Sequence, residues 1–169
     1  MIAVVGAGRD VEPAVTHAKE LGRLIAEKGW VLITGGRDAG VMRAANEGAK
    51  KAANGLTVGI LPERGSEIAS DLDIAIITDV GQARNNIIVL SADVVIACGV
   101  DGAGTASEIS LAIMNGTSVV LLAESEAAKA FFADIGVDQV SNASSPSDAI
   151  EIVSSIVGSR PVKATNEHK

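Results

Sequence analysis

The chain has 169 residues, of which 47% are hydrophobic and 2% aromatic, and its formal net charge is −7. A chain of this length fits one domain with an ordinary hydrophobic core. The negative charge argues against a broad nucleic-acid surface, and no apolar run is long enough to cross a membrane. A small anionic ligand is still compatible with this charge, because backbone dipoles at a turn act locally.

The number and spacing of cysteines and histidines limit the disulfides and metal sites that the chain can form. Cys98 is the single cysteine, which excludes a disulfide framework or a cysteine metal cluster within one chain. His17 and His168 have no partner at metal-ligand spacing, so we expect no metal site. The chain enters an apolar run at Ile2 with no basic leader before it, and we therefore expect a cytoplasmic protein.

Apolar runs and helical patterns alternate along the chain. Runs typical of buried strands cover residues 2–5, 30–34, 56–61, 74–78, 93–97 and 118–122. Helical patterns cover a first segment that Asp10 would cap and Gly29 would end, then 40–52, 83–91, 105–115, 124–133, and a last segment from Ser145 to about 157. This alternation predicts an α/β fold, a Rossmann-like doubly wound parallel sheet sandwiched by helices. We expect one domain over residues 1–158 and a flexible polar tail over 159–169.

The first glycine-rich turn, Gly6-Ala7-Gly8, follows the first apolar run. It is similar to the start of a dinucleotide-binding fingerprint, but Val11 stands at the third glycine position. No acidic residue ends the second run either, which disfavours NAD or FAD binding. Gly6 and Gly8 therefore form either a tight strand-to-helix turn or a phosphate contact.

The second glycine-rich turn, residues 35–40, has the glycine spacing of a P-loop. Val41 and Met42 replace the lysine and hydroxyl residue of that motif, so NTP hydrolysis of the P-loop type has no support. Backbone amides around Gly35 and Gly36 are favoured as an anion contact, with Arg37 near the rim, over a turn that serves the backbone alone.

Two further segments follow predicted strands at the same edge of the sheet. Arg84 opens a helix, where it would either be solvated or bind a phosphate, and Asn85 adds an amide beside it. The last glycine-rich turn contains Asp101, which would contact a ligand hydroxyl or amino group or favour the turn. Gly102 and Gly104 come next, where they would present free backbone amides.

Thr105 and Glu108 have the spacing of a capping box, in which the glutamate secures a helix terminus. The alternative is a carboxylate that points into a ligand pocket, and the spacing alone favours the cap. Parallel strands bring all these turns to one sheet edge, which indicates a single phosphate-rich ligand.

In combination, these segments resemble a known family, the Rossmann-type molybdenum cofactor carrier proteins, which are relatives of the Lonely Guy phosphoribohydrolases, often labelled lysine decarboxylase-like. The similarity is carried by residues 29–37, 40–42, 48–49, 58–62, 83–86 and 102–108. The resemblance implies that the protein binds, protects and transfers molybdenum cofactor, a phosphate-bearing pterin, without catalysing a reaction. The candidate binding residues are Gly6, Gly8, Gly35, Gly36, Arg37, Arg84, Asn85, Asp101, Gly102, Gly104, Thr105 and Glu108.

The enzymatic relatives provide the alternative function. Arg84 and Glu108 match their catalytic arginine and glutamate, which would make the protein a phosphoribohydrolase of nucleoside monophosphates. However, Asn85 replaces their lysine and Ser107 replaces a glutamate, which fits a carrier better. The resemblance also implies a homotetramer and molybdenum-enzyme recipients, with no nucleic acid or membrane partner.

Overall fold

The computed structural model describes residues 1–159 and contains one parallel sheet of seven strands. The strands are β1 (Ile2–Gly6), β2 (Leu32–Thr34), β3 (Thr57–Leu61), β4 (Ile74–Ile77), β5 (Val94–Cys98), β6 (Ser118–Leu122) and β7 (Val140–Ala143). Their order in the sheet is β4-β3-β2-β1-β5-β6-β7, and every neighbouring pair is parallel.

Helices connect the strands and cover both faces of the sheet. They are α1 (Ala14–Glu27), α2 (Gly40–Ala49), α3 (Arg84–Ser91), α4 (Ala103–Met114), α5 (Glu126–Gly136) and α6 (Pro146–Ser159). Short 3-10 turns at Gly81–Ala83 and Val137–Gln139 precede α3 and β7. The predicted Rossmann-like α/β fold is confirmed.

Two apolar cores lie on opposite faces of the sheet because alternate strand residues point to opposite sides. One core packs α1, α2 and α6 against side chains such as Val4 and Ile96. The other packs α3, α4 and α5 against side chains such as Val5 and Ala97. Strands buried on both faces explain why the sequence shows continuous apolar runs.

The strand order reverses between β1 and β5. From β1 the chain builds the sheet in one direction through β4, and from β5 it builds in the other direction. The helices that follow β1 and β5 therefore lie on opposite faces and leave a crevice at the carboxyl ends of these strands. In doubly wound sheets this switch point is where ligands bind, and the first and last glycine-rich turns flank it.

Some local expectations differ from the structure. Strand β7, at one edge of the sheet, was not predicted, because Val140–Ala143 has no continuous apolar run. Asp10 does not cap α1, because the helix begins after Pro13 and has no side-chain cap. The carboxylate of Asp10 instead accepts a hydrogen bond from Nη2 of Arg43 at 2.7 Å. Gly29 ends α1 in a left-handed conformation, as predicted.

The final helix begins as predicted, since the Ser145 hydroxyl accepts from the Asp148 amide at 3.2 Å. Apart from Ser159, which ends α6, the expected polar tail lies outside the described residues. Within residues 1–159 no helix has both the length and the apolarity needed to cross a bilayer.

Helices α1 and α2 pack so closely that glycine is needed where they cross. A Cβ atom on Gly48 would lie 1.8 Å from the backbone carbonyl oxygen of Lys19. We expect Gly48→Ala to lower the free energy of unfolding by about 2 kcal/mol or more, because backbone cannot move aside cheaply. Urea denaturation checks this against Gly158→Ala in α6, where a Cβ meets open space and stability should not fall. Equal stability of the two variants would contradict the close packing.

Candidate functional site

A cavity of about 550 Å³ opens at the switch point between β1 and β5. A volume of this size is typical of a small-molecule site. Four connections contribute to it: the turns after β1, β2 and β5, and the segment that leads from β4 into α3. The lining residues are Val4, Val5, Gly6, Ala7, Gly8, Gly35, Arg37, Met42, Gln82, Arg84, Asn85, Asp101, Gly102, Ala103, Gly104, Thr105, Ser107 and Glu108.

All the candidate residues named from the sequence line this cavity except Gly36. Gly36 lies beneath it: its backbone is left-handed, and a Cβ would lie 3.0 Å from Gly59 of β3. Sequence reasoning missed Met42, Gln82 and Ser107 among others. Met42 and Ser107 follow glycine-rich turns and Gln82 lies just before Arg84, which was the available signal, but their side chains carry no distinctive chemistry.

Two arginine side chains lie directly against glycine backbone in the cavity. A Cβ on Gly35 would lie 2.3 Å from Nη1 of Arg84, and one on Gly8 would lie 2.7 Å from Nη2 of Arg37. Side chains at these glycines would push the guanidinium groups away. The glycines therefore give room for two cations at one site, a role that the sequence pattern did not distinguish from turn formation.

Arg84 is the more buried of the two cations, with 6% of its surface exposed. Its Nη1 donates to the carbonyl oxygen of Ile60 at 3.0 Å, while Nε is buried without a partner. Burial lowers the pKa of Arg84, Glu108 raises it and Arg37 lowers it. A buried cation with one hydrogen bond and an unpartnered Nε is stabilised when an anion binds beside it.

Glu108 is 8% exposed and makes no hydrogen bond with another described residue. The capping-box expectation is wrong, because α4 begins at Ala103 behind Gly102, two residues before Thr105, and has no side-chain cap. Glu108 therefore lies in the second turn of α4 and lines the cavity. Burial raises its pKa to about 7, although the charge of Arg84 opposes the shift. A carboxyl group in this environment can exchange a proton near neutral pH.

The first turn of α4 presents backbone amides to the cavity. Gly102, which precedes the helix, has φ +125° and ψ 174°, a conformation that is essentially restricted to glycine. The amides of Ala103, Gly104 and Thr105 come before the first intrahelical donor, Ala106, which bonds to the Gly102 carbonyl. These three free N–H groups and the helix dipole favour an anion at this end of the cavity.

Several amides of the turn after β2 are already hydrogen-bonded, contrary to the expectation that Gly36 offers its amide to an anion. The amide of Gly36 donates to the Thr34 hydroxyl at 3.1 Å, and that of Val41 donates to the Ala7 carbonyl at 3.0 Å. The amides of Asp38 and Ala39 also have backbone acceptors. This turn therefore reaches the cavity mainly through Gly35, the Arg37 side chain and Met42.

A short chain of hydrogen bonds fixes the wall between α3 and α4. The Asn85 amide donates to the Ser107 hydroxyl at 3.3 Å, and that hydroxyl donates to the Gly104 carbonyl at 2.7 Å. The Asn85 carbonyl oxygen is buried without a partner. Since an unpaired buried acceptor is costly, this wall is suited to a ligand that brings donors.

At the rim of the cavity, Asp101 and Arg9 form a bidentate ion pair across the first and last glycine-rich turns. Nε of Arg9 donates to one carboxylate oxygen of Asp101 at 2.6 Å, and Nη2 donates to the other at 2.7 Å. The pair neutralises the acidic residue at the rim. Cys98, by contrast, lies in the core: its thiol contacts the Ala14 carbonyl at 3.2 Å, and it does not line the cavity.

The model of the SLOG cluster4 family matches residues 1–150. The chain belongs to this family. The SLOG cluster4 chain is 49% identical to the molybdenum cofactor binding protein from the phototrophic bacterium Rippkaea orientalis, with a TM-score of 0.87 over 92% of this chain and 96% of that one. It is 42% identical to the molybdenum cofactor carrier protein from Chlamydomonas reinhardtii, with a TM-score of 0.87 over 93% and 98% of the two chains.

The SLOG cluster4 chain is also 49% identical over 122 residues to a protein of Archaeoglobus fulgidus, which covers 72% of this chain and 78% of the relative. The resemblance to molybdenum cofactor carrier proteins that the motifs indicated is therefore confirmed across nearly the whole chain. Carriers and this SLOG cluster4 chain share the fold that places the cavity at the switch point.

The contact between Gly35 and Arg84 leads to a test of how the cavity is built. We expect Gly35→Ala to lower the affinity for an anionic ligand by about tenfold, because the methyl group would displace the guanidinium of Arg84. Gly158→Ala in α6 is the control for a cavity-independent effect, since a Cβ there meets open space away from the site. Isothermal titration with phosphate measures the change. Unaltered affinity in Gly35→Ala would show that Arg84 does not need this glycine.

Proposed function

We propose that the protein binds molybdenum cofactor in the switch-point cavity, shields it and passes it to recipient enzymes. The observation that carries the proposal is the pairing of Arg37 and Arg84 with free amides of α4 in one cavity of a chain whose net charge is −7. The similarity to carriers of this cofactor in two other organisms supports it.

The chemistry of the lining residues fits such a cargo. The phosphate group would bind at the cationic end, where Arg84 and the first turn of α4 offer charge and N–H donors. The pterin ring carries N–H donors, which the carboxyl group of Glu108 and the carbonyl oxygen of Asn85 would accept. Gly8 and Gly35 would keep room for the guanidinium groups of Arg37 and Arg84 beside the ligand, while Gly6 lets the end of β1 pack against Cys98 and Val41. Asp101 would lie at the rim with Arg37 nearby. Gly36 would act only through the turn it supports.

A carrier must exclude solvent without reacting with its cargo. The buried cavity walls serve the first need, and no nucleophile is required for the second. The thiol of Cys98 lies in the core, where burial raises its pKa to about 12. A protonated, buried thiol is a poor nucleophile and would leave the cargo intact.

The titration of purified, anaerobic protein with isolated molybdenum cofactor tests the proposal. Free cofactor is separated from bound cofactor by ultrafiltration. We expect saturable binding near one cofactor per chain, and delivery of the bound cofactor to an apo-enzyme that then becomes active. Retention no greater than that of an unrelated acidic protein would contradict the proposal.

One observation favours a second function, hydrolysis of nucleoside monophosphates. A Glu108 carboxyl group with a pKa of about 7 has the value expected of a general acid or base near neutral pH. Against this function, Asn85 and Ser107 stand where the enzymatic relatives resembled by the sequence carry lysine and glutamate. Release of free base from nucleoside monophosphates, abolished in Glu108→Gln, would favour the enzyme over the carrier.

We further propose a homotetramer, supported by the surface of α3 and α4. These helices carry only Arg84 and Glu108 as charged residues, both buried, whereas Leu90 is 57% exposed and Met114 is 81% exposed. The isoleucines of the edge strand β4 are exposed as well. Light scattering should give the tetramer mass, and Leu90→Glu combined with Met114→Glu should reduce it. A monomer in the unaltered protein would contradict this assembly.

Recipient molybdenum enzymes and a cytoplasmic location complete the proposal. A chain with a single cysteine forms no disulfide within itself, which supports a reducing compartment such as the cytoplasm.

A further inference from the structure

The turn between β5 and α4, residues 99–102, determines where the first amides of α4 point. Gly99 and Gly102 both have positive φ, at +79° and +125°, so the backbone reverses sharply twice within four residues. Such a turn has few ways to stabilise itself. Within it, the Asp101 amide bonds back to the Gly99 carbonyl at 3.1 Å, and the amide of Val100 points out of the turn.

A residue from the neighbouring strand satisfies this amide. Glu124 follows β6, and its Oε2 accepts from the Val100 amide at 2.7 Å. Ala123, just before it, has φ +60°, a left-handed conformation that is uncommon for a residue with a side chain. The backbone is therefore bent unfavourably at the position that directs Glu124 toward the turn. Strain of this kind persists only where the surrounding structure requires it.

The carboxylate of Glu124 is held at an energetic cost. Its Oε1 is buried without a hydrogen-bond partner. Burial raises the pKa of Glu124, while the Val100 and Gly99 amides and the charge of Lys129 lower it. The thiol of Cys98 lies close enough for Glu124 to raise its pKa. A half-buried carboxylate with one unpaired oxygen lowers stability, so a contribution to stability alone does not explain the position of Glu124.

We propose that Glu124 is a positioning residue for anion binding: by holding Val100 it fixes the turn that aims the amides of Gly104 and Thr105 into the cavity. The Arg9–Asp101 ion pair holds the next residue of the same turn from the other side. The turn is thus pinned at Val100 and at Asp101, and the amides are oriented before the ligand arrives. Preorganised donors bind more tightly because less conformational entropy is lost on binding. This inference rests on the proposed anion site at α4.

The test compares four proteins: the unaltered chain, Glu124→Ala, Glu124→Gln and Glu151→Ala. Each is titrated with inorganic phosphate and with isolated cofactor while the amide NMR signals of Gly104 and Thr105 are followed. We expect Glu124→Ala to lower the affinity for both ligands by about tenfold, because the Val100 amide loses a charged acceptor. Glu124→Gln should stay within about threefold of the unaltered chain, since its amide oxygen still accepts. Glu151→Ala, a loss of the same charge from an exposed site on α6, should change nothing.

Distinct outcomes overturn distinct claims. If the unaltered chain binds but Glu124→Ala binds equally well, only the positioning role fails. Equal losses in the alanine and glutamine variants would also overturn it, because the retained acceptor would then be irrelevant. If the unaltered chain binds neither ligand, the proposed function fails together with this inference. If Glu124→Ala does not fold, the glutamine variant and hydrogen exchange at Val100 decide, and an unprotected Val100 amide in the unaltered chain would overturn the role.

Discussion

Replacing Arg84 with alanine is expected to weaken cofactor binding by about 10- to 100-fold, the largest loss from any single side chain of the cavity. The guanidinium is 6% exposed and has a buried Nε without a partner, so it meets a phosphate in a largely desolvated setting. Hydrogen bonds to charged groups contribute about 1.5–3 kcal/mol there, which corresponds to this range. Equilibrium titration under anaerobic conditions measures the change.

Arg64→Ala is the matched control for the Arg84 variant. It removes the same charge from an exposed residue that does not line the cavity, so it reports the effect of net charge alone. Arg84→Lys should retain part of the affinity, because an ammonium group supplies charge without bidentate geometry. Since Arg84 also donates to Ile60, thermal unfolding must show that the alanine variant is folded at the assay temperature. Equal affinities for the two alanine variants would rule out Arg84 as the phosphate ligand.

Replacing Glu108 with glutamine is expected to stabilise the protein at alkaline pH. The folded-state pKa is raised from 4.5 to about 7, so the folded chain holds a proton that the unfolded chain has already lost between these values. The contribution of Glu108 to stability is therefore most favourable below about pH 4.5 and is lost as the pH rises to 7. At 1.36 kcal/mol per pKa unit, the cost at pH 8 is about 3 kcal/mol.

Urea denaturation of Glu108→Gln and of the unaltered chain from pH 5 to pH 8 measures this cost. The stability difference in favour of the variant should grow by about 2 to 3 kcal/mol between pH 5 and pH 8. Glu63→Gln, at an exposed position, should show no such pH dependence. The ratio of the phosphate affinity of the unaltered chain to that of Glu108→Gln should fall as the pH rises, because an ionised Glu108 repels an anion. A stability difference that does not change with pH would contradict the raised pKa.

The sequence predicts the sheet well because its strands are buried on both faces. Runs such as Ile2–Gly6 and Val94–Cys98 are continuously apolar, and the helices between them predict crossover connections between parallel strands. Strand β7 has the partly polar sequence Val-Ser-Asn-Ala, and no local pattern distinguishes it from a loop, whereas the other edge strand, β4, is apolar and was predicted.

The candidate site was predictable in its location and less so in its contacts. Glycines after strands mark the edge where the cavity lies, but spacing cannot distinguish a capping glutamate from one inside a cavity. The conformation of Gly102 decides that question for Glu108 by starting α4 earlier. Glu124 gave no sequence signal, because its partner Val100 belongs to a different strand connection, 24 residues away.

The most direct test of the central claim is a crystal structure of the cofactor-loaded protein, with an anomalous difference map collected at the molybdenum edge. We expect one molybdenum peak per chain within the cavity between β1 and β5, with the cofactor phosphate in hydrogen-bond contact with Arg84 and the first turn of α4. A fully occupied cofactor bound elsewhere on the chain, with the cavity holding only solvent, would contradict the assignment of the site.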